Sequence, residues 1–352
     1  MSMKAIGINE NVSIGNLVDK LQEFNCERPQ PKKGEVLIQV NYSTINIDDI
    51  HAMEGSMMGG FRFKPKASKS SIVIPGSDVA GVVKELGQGV TKFEIGQRVY
   101  GICPMNQQYG PWAEFCISKV EYLSATPHHV SDKEMVALPI AGTMAARSIL
   151  AVKTIENKSC LVIGAAGGIG ALCTQVLAAK KATVYGICST KNKNLVSELG
   201  AHEVLTYDSP DFHASLESLG GKINVVFDFV GGKARERMGR KVLIKNGIYI
   251  TVVGPNEWIG QKKLNVFQMT GMFLHILRRM AFSKLLTGRS YKFVTFKAPL
   301  FSHLEKDFAT GSILSLNQEV SFTSIEIKKA IERVLKHNTV GRVIIKVADE
   351  IL

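Results

Sequence analysis

A glycine-rich turn that directly follows an apolar strand constrains the fold of this chain more than any other feature. The run Cys160–Gly164 is apolar and predicts a strand buried on both faces. The turn Gly164-Ala-Ala-Gly-Gly-Ile-Gly170 follows at once and opens a predicted helix, Ile169–Lys180. The N–H groups and positive dipole end of such a helix bind phosphate, and glycines let the backbone approach it. This order predicts a dinucleotide site in a variant form, because Ala165 replaces the first glycine of GxGxxG; an ordinary tight turn is the alternative.

The segments around this turn alternate between strand and helix. Ala182–Cys188, Ile223–Asp228 and Gly247–Val253 are predicted strands, and Asn192–Leu199 is a predicted helix that stops at a glycine. This alternation is typical of an α/β doubly wound parallel sheet, a Rossmann-type cofactor domain. The candidate phosphate-binding residues are Ala166, Gly167, Gly168, Ile169 and Gly170.

The first part of the chain has a different texture. Short strands with Gly and Pro between them predict a β-rich, barrel-like domain. A capping pattern, Ser131 to Glu134, then marks the change to helices, and the tail ends on a predicted strand, Arg342–Val347. We therefore expect a barrel domain over 1–127, a cofactor domain over 128–265, and a return segment over 266–352 that completes the barrel domain.

The end of the second strand of the cofactor domain predicts the choice between NAD and NADP. A carboxylate at this place holds the ribose 2′-hydroxyl of NAD. The residues here are Ser189, Thr190, Lys191 and, two positions on, Lys193, without a carboxylate. Hydroxyl and ammonium groups suit a 2′-phosphate, which favours NADPH, with Ser189 and Lys193 as candidate ligands. The alternative is that both lysines only belong to the surface.

Composition and charge exclude several other classes. Hydrophobic residues make up 45% and charged residues 21% of 352, as in globular proteins. The net charge of +12 is partly explained by a phosphorylated cofactor, and no spacing typical of a nucleic-acid-binding motif accompanies it. Six cysteines without a CxxC pair argue against a disulfide framework or a zinc ribbon.

No segment of the sequence is a good candidate for crossing a membrane. The longest apolar stretch without a charge, Leu264–Leu277, is shorter than the ~20 residues that a membrane helix needs. We therefore expect a soluble, cytoplasmic protein. The apolar and basic segment Leu264–Leu286 is either an interfacial helix or a core helix, a pocket lid or a dimer contact.

Ordered motifs over nearly the whole chain resemble the quinone oxidoreductase branch of the medium-chain dehydrogenase/reductase superfamily. The motifs are Pro31-x-x-Gly34-Glu35, Pro75-Gly76-x-Asp78, Val90-x-x-Phe93-x-x-Gly96, Leu138-Pro139, the glycine turn, Leu199-Gly200-Ala201, Asp228-x-Val230-Gly231-Gly232 and Gly341-Arg342-Val343. Phe293–Lys297 resembles the reticulon-interacting subgroup in particular. The resemblance implies a GroES-like barrel plus a Rossmann domain with the active site in the cleft between them, and we expect a homodimer.

The same resemblance implies a site without zinc. Zinc-dependent alcohol dehydrogenases have a cysteine ligand where this chain has Asn46, and a His-Glu motif where it has Gly76-Ser77-Asp78. These enzymes also have a loop with four cysteines, and the matching region of this chain has only two, Cys103 and Cys116. Since zinc needs thiolate, imidazole or carboxylate ligands, we expect no bound metal.

Catalytic and cofactor contacts also follow from the resemblance. Asn46 is expected to donate its amide to a substrate carbonyl or to the nicotinamide ribose, and His51 either acts as a general acid or is structural. Further expected cofactor contacts are Thr143, Tyr207, Val230, Val253 and Gly254; Met144 stands where the family usually has threonine, and His337 falls near a family arginine that reaches a cofactor phosphate.

The resemblance implies hydride transfer from NADPH to an electrophilic small molecule, a quinone or an α,β-unsaturated carbonyl. An enoyl-thioester reductase is the alternative enzyme. A regulatory protein that binds NADPH without turnover is the alternative from another class.

Overall fold

A computed structural model describes residues 1–55, 66–104, 108–256, 265–296 and 302–350. The strands are β1 Ser2–Gly7, β2 Gln22–Glu27, β3 Glu35–Thr44, β4 Asp78–Leu86, β5 Arg98–Ile102, β6 Phe115–Lys119, β7 Leu123–Ala125, β8 Ser159–Ile163, β9 Thr183–Cys188, β10 Glu203–Thr206, β11 Ile223–Asp228, β12 Leu243–Thr251, β13 Ser290–Phe293, β14 Asn317–Ser321 and β15 Arg342–Lys346. The helices are α1 Leu17–Lys20, α2 Ile47–Glu54, α3 Asp132–Met135, α4 Pro139–Leu150, α5 Gly168–Ala179, α6 Lys193–Glu198, α7 Phe212–Ser218, α8 Lys233–Val242, α9 Val266–Thr287, α10 Ser302–Ala309 and α11 Ser324–Leu335.

Six strands form a parallel sheet in the order β10-β9-β8-β11-β12-β13. The chain builds outward in one direction from β8 to β10 and in the other from β11 to β13. The reversal lies between β8 and β11, where an open α/β sheet leaves a crevice at the carboxyl ends of its strands. The doubly wound sheet expected from the sequence is confirmed.

Strand β8 is buried on both faces, as its apolar sequence predicts. Cys160 and Val162 belong to one apolar cluster, while Leu161 and Ile163 belong to another on the opposite face. Successive side chains of a strand point to opposite faces, so helices must cover both sides of this sheet. The glycine turn therefore directly follows a strand whose side chains from Cys160 to Ile163 are fully buried.

The second large sheet is mainly antiparallel, with the order β14-β15-β3-β4-β5-β7 and with β6 also paired to β3. Val36, Ile38 and Val40 of β3 alternate along the strand and pack into one buried cluster. Strand β15 pairs with β3, with Ile344 opposite Thr44. The tail thus returns to the amino-terminal domain as the sequence predicts.

The return begins later than expected. Strand β13 pairs in parallel with β12, with Phe293 opposite Thr251, so α9 and β13 belong to the cofactor sheet. The boundary predicted at residue 265 lies too early because one more βαβ crossover follows β12. Leu264 and Lys297, which end two of the predicted segments, lie outside the described residues.

Helix α9 rests on the domain by a narrow stripe. Met272, Ile276 and Ser283 are its buried residues, whereas large apolar side chains are exposed on its other faces: Val266, Phe267, Phe273, Leu274, Leu277, Met280, Phe282, Leu285 and Leu286. It is therefore not a core helix of this chain. Within the described ranges, no helix combines the length and apolar character needed to cross a bilayer.

Candidate functional site

A cleft of about 1220 Å³ runs along the carboxyl ends of the parallel strands and against the first domain. The glycine turn, the start of α2 and the tail segment before β15 form its walls. Six lysine and arginine side chains line it, against two carboxylates: Lys191, Arg235, Arg237, Lys241, Lys336 and Arg342, with Asp48 and Glu217. This balance favours a ligand that carries several phosphate charges.

The glycine turn has the close packing that a phosphate-binding loop needs. Gly164 has φ +84°, and Gly167 is the N-cap of α5. A Cβ at Gly170 would lie 2.1 Å from the carbonyl oxygen of Gly164, so only glycine fits there. All five candidates, Ala166 through Gly170, line the cleft. The cradle fits the pyrophosphate of a dinucleotide.

The tail of the chain forms a second wall opposite this loop, which the sequence did not reveal. The N–H of Gly341 donates to the carbonyl oxygen of Ala166 over 2.9 Å, and Gly341 forms a parallel bridge with Gly167. The side chain of Arg342 lies against Gly168, where an added Cβ would approach its Cδ to 2.6 Å. The phosphate loop is thus enclosed by residues from the other end of the chain.

A buried carboxylate, Asp78, joins the two domains beside the cleft. Its Oδ1 accepts the N–H of Ile140 over 2.9 Å, and its Oδ2 accepts the hydroxyl of Thr44 over 2.8 Å. The guanidinium of Arg342 forms an ion pair with the same Oδ2. Because Ile140 lies in the first turn of α4 while Arg342 lies on β15, this carboxylate fixes one wall of the cleft against the other.

Asn46 lines the cleft, but its amide donor is directed into the protein. Its Nδ2 lies 2.9 Å from Thr44 Oγ1, 3.0 Å from Ser77 Oγ and 3.1 Å from Asp78 Oδ2. An amide nitrogen has only two hydrogens, so these acceptors use them fully. The expected donation from Asn46 to a substrate carbonyl is therefore not the arrangement that the structure has. Asn46 instead positions the start of α2, where its backbone N–H donates to Asp49.

His51 is buried, with 3% of its surface exposed, and does not belong to the residues that line the cleft. Burial lowers the pKa of His51 to about 4, and the nearby His337 contributes in the same direction. A neutral imidazole away from the cleft is a poor proton donor at neutral pH. Of the two alternatives for His51, the structure favours the structural role.

At the other end of the cleft, Ser189, Lys191 and Tyr207 come together. All three line it, and Tyr207 is 60% exposed. Lys191 Nζ reaches across to Asn338 Oδ1 of the tail at 2.5 Å. The exposed Lys193, in contrast, is not among the described residues that line the cleft. Lys191, two residues earlier, is the lysine of this segment that lines it.

A carboxylate that the sequence reasoning missed lies beside this end. Asp208 Oδ1 accepts the N–H of Thr190 over 2.8 Å and its hydroxyl over 2.7 Å. These hydrogen bonds hold the pKa of Asp208 below its ordinary value. The residue follows β10, the neighbour of β9, so only the pairing of the strands places it beside Thr190.

Of the remaining residues expected to contact the cofactor, only Val230 is among the described residues that line the cleft. Val230 lines the cleft, while Thr143 is buried within α4. Val253 and Gly254 follow β12, and their N–H groups donate to Thr251 Oγ1 over 3.2 and 3.1 Å. Among the residues described, neither of these two nor Thr143 lines the cleft.

Asp48 is a second carboxylate that the sequence reasoning missed. It lies in the first turn of α2, next to the buried Asp49, and its exposed side chain lines the cleft. Desolvation by the nearby protein raises the pKa of its carboxyl, which the positive charge of Arg342 opposes. A carboxyl group with a raised pKa is able to exchange a proton with a ligand in the cleft.

We predict that His51 makes the folded state less stable in acid. Its pKa is about 4 in the folded chain against 6.5 for an ordinary histidine, so the unfolded chain binds the extra proton between these values. Stability should therefore fall as the pH drops from 6.5 to about 4, by roughly 3 kcal/mol in total. Urea unfolding at a series of pH values measures this loss, and His51→Gln should remove it.

Asp49 titrates in the same pH range, because burial raises its pKa to about 7, and its effect on stability has the opposite sign. The difference in stability between the wild type and His51→Gln removes this contribution and isolates His51. The exposed His128 supplies the control, and His128→Gln should leave the wild-type pH dependence in place. A difference curve between wild type and His51→Gln that is flat with pH would contradict the buried, neutral imidazole.

Comparisons with known proteins agree with this geometry. The sequence model of a family described as "Alcohol dehydrogenase GroES-like domain" matches residues 32–128, and that of a family described as "Zinc-binding dehydrogenase" matches residues 168–280. The quinone oxidoreductase of Coxiella burnetii superposes with a TM-score of 0.80 at 20% identity, covering 99% of this chain and all of that one. This likeness confirms the expected fold.

Two relatives place the chain more narrowly. The chloroplastic NADPH-dependent alkenal/one oxidoreductase of Arabidopsis thaliana is 30% identical over 320 residues, which are 84% of this chain and 76% of the relative. The chloroplastic quinone-oxidoreductase homolog of Spinacia oleracea is 30% identical over 228 residues, 63% of this chain and 67% of the relative. The chain therefore belongs to the medium-chain dehydrogenase/reductase superfamily, within its quinone oxidoreductase branch.

Proposed function

We propose that this protein is an oxidoreductase that transfers a hydride from NADPH to a quinone or an α,β-unsaturated carbonyl, without a metal. The observation that carries the proposal is the cleft itself, which joins a phosphate loop that only glycine can form at Gly170 to a wall of the first domain. The names of the two relatives support an acceptor of this class.

The residues of the cleft divide the work between its two ends. The glycine turn holds the pyrophosphate, while Ser189, Lys191 and Tyr207 surround the 2′-phosphate end. NADPH, when bound, supplies the hydride. At the barrel wall, Ile45, Ile47 and Val343 give an apolar surface for a planar acceptor and exclude water from it.

A reduced enone or quinone also needs a proton, and Asp48 is the group best placed to exchange one. It is the carboxyl on the barrel wall of the cleft, next to Asn46 and Ile47. Its raised pKa keeps more of the protonated form available than an ordinary aspartate would. After transfer, the carboxylate is stabilised by Arg342 and regains its proton from water.

The donor atoms at the positions matching zinc ligands do not fit a catalytic zinc. The amide of Asn46 points into the protein, and Asp78 is already paired with Arg342. Zinc would need these groups free and supplemented by thiolate or imidazole ligands. The part of the chain that the structure describes holds no group of three or more potential metal-binding side chains.

Steady-state assays test the proposed reaction. Oxidation of NADPH should require an added quinone or 2-alkenal and should continue unchanged in the presence of a chelator. Asp48→Asn should lower kcat for the alkenal by roughly a hundredfold or more, the range lost when a general acid is removed. Glu217→Gln, which removes the cleft carboxylate on α7, should leave kcat within about twofold. Binding of NADPH without turnover of any quinone, alkenal or enoyl thioester would contradict the proposal.

We also propose that the enzyme prefers NADPH to NADH. Fluorescence titration should give an NADPH affinity at least about tenfold higher, equivalent to 1.4 kcal/mol. Lys191→Gln should reduce this ratio because it removes the cation at the 2′-phosphate end, whereas Lys153→Gln, an exposed lysine away from the cleft, should not. Equal affinities in the wild type, or a ratio that Lys191→Gln leaves unchanged, would refute the preference.

The homodimer expected from the sequence is carried forward as part of the proposal. The exposed apolar side chains of α9, such as Phe267 and Leu285, support it, since a patch of this extent usually marks an interface. Sedimentation velocity should give the mass of two chains, and Leu277→Asp should shift it toward one. A wild-type chain that sediments as a monomer at micromolar concentration would contradict it. The cytoplasmic location stays a prediction.

A further inference from the structure

A second cavity lies outside the cleft, between α8 and α9. Its volume is about 310 Å³. Helix α8 contributes Lys233, Arg237, Arg240 and Lys241 to its wall. Helix α9 contributes Arg279, and Arg289 follows that helix. A cavity between two helices with this many cations is unusual, because like charges repel unless something neutralises them.

The one carboxylate among the described residues of this wall, Glu236, is already paired with neighbouring side chains. Glu236 is 3% exposed, and its Oε1 lies 2.7 Å from Nε of Arg279. Its Oε2 lies 2.8 Å from Nε2 of His275. Glu236 therefore offsets Arg279, and the other lysines and arginines of the wall exceed it in charge.

Two of the arginines are held in place by neutral groups. Arg240 is 8% exposed and donates to the hydroxyls of Ser283 and Thr287, both over 2.7 Å. Arg289 donates from Nε to the carbonyl oxygen of Leu243 over 3.0 Å. Hydroxyls and carbonyls fix the direction of a guanidinium but do not neutralise it.

Burial lowers the pKa of Arg240, and the positive charges of Arg279 and Arg289 lower it further, against the opposing effect of Glu236. An arginine stays charged even so, because its ordinary pKa lies far above neutrality. The guanidinium groups of Arg240 and Arg289 are thus oriented in advance and partly removed from water, while Lys233, Arg237 and Lys241 add exposed positive charge to the wall. Such an arrangement stabilises an anion more than an exposed lysine cluster does.

We propose that this pocket binds a small anion that carries phosphate groups, with a diphosphate as the size that fits. A water molecule occupies about 30 Å³ of liquid, so the cavity has room for a group of this size with its remaining hydration. Forked guanidinium groups match the oxygens of a phosphate in pairs, which lysines alone do not. None of the residues of the glycine turn lines this pocket.

Arg237 and Lys241 line both this pocket and the cleft, so the test must keep the cleft filled. Inorganic pyrophosphate is titrated by calorimetry into protein saturated with NADP⁺. We expect one further binding event that weakens as the salt concentration rises. The absence of any pyrophosphate binding under these conditions overturns the proposal.

Paired variants locate the event. Lys233→Gln and Arg289→Gln, alone and together, should weaken pyrophosphate binding, by roughly tenfold in the double variant. Lys180→Gln, at the end of α5, removes the same charge elsewhere on the surface and should leave the affinity unchanged. Equal weakening by Lys180→Gln and by Lys233→Gln would show a general charge effect and overturn the site.

If Arg289→Gln lowers the thermal midpoint, its effect on binding could reflect a loss of folding. Lys233→Gln replaces an exposed side chain, so its effect on pyrophosphate affinity alone then decides the test. Cosedimentation with vesicles rich in a phosphoinositide, reduced by the double variant, would assign the anion to a lipid head group; pyrophosphate binding without cosedimentation would assign it to a soluble ligand. A failure of NADP⁺ to bind would count against the proposed function. The pyrophosphate affinities of the wild type and the variants would still show whether the pocket binds the anion.

Discussion

The carboxylate of Asp78 carries the interactions on which the geometry of the cleft depends. It accepts hydrogen bonds from Thr44 on β3, from Asn46 at the start of α2 and from the N–H of Ile140 at the start of α4, and it pairs with Arg342 on β15. A buried charge is costly unless its partners satisfy it fully, so removal of any one of them leaves the others poorly placed. Asp78 therefore links the two domains beside the cleft, in addition to the contact of Gly341 with the phosphate loop and the apolar cluster that both domains share.

This network lies where zinc-dependent members of the superfamily place their ligands. Asn46 and the stretch Gly76-Ser77-Asp78 occupy those positions here, and they form hydrogen bonds with one another and with the backbone of α4. A metal ion draws several elements together through its coordination bonds. In this chain the carboxylate of Asp78 and the guanidinium of Arg342 link these elements, and the wall of the cleft is apolar at Ile45 and Ile47.

The parts of the fold that were predicted from sequence depend on local signals. The apolar strand β8, the glycine turn and the helix α5 follow each other in the chain, and their steric requirements are visible in the residues themselves. Asp208 was missed because strand pairing, not sequence distance, brings it to Thr190. The sequence left two roles open for His51, general acid or structural, because burial decides its charge, and burial depends on how α2 packs. The boundary predicted at residue 265 precedes α9, which belongs to the cofactor sheet only because β13 pairs with β12, and this pairing is not visible in the sequence.

The contact of Gly341 with the phosphate loop has a consequence for how the protein acquires its activity during synthesis. The loop around Gly167 is translated more than 170 residues before Gly341, which covers it. Position 341 requires glycine for two reasons: its backbone is left-handed, with φ +60°, and a Cβ would lie 2.1 Å from the carbonyl oxygen of Leu316. A nascent chain can fold its parallel sheet first, since domains form as units during translation. It cannot close the cofactor cleft until β15 has joined β3, so a truncated or stalled product retains a folded sheet without a finished binding site.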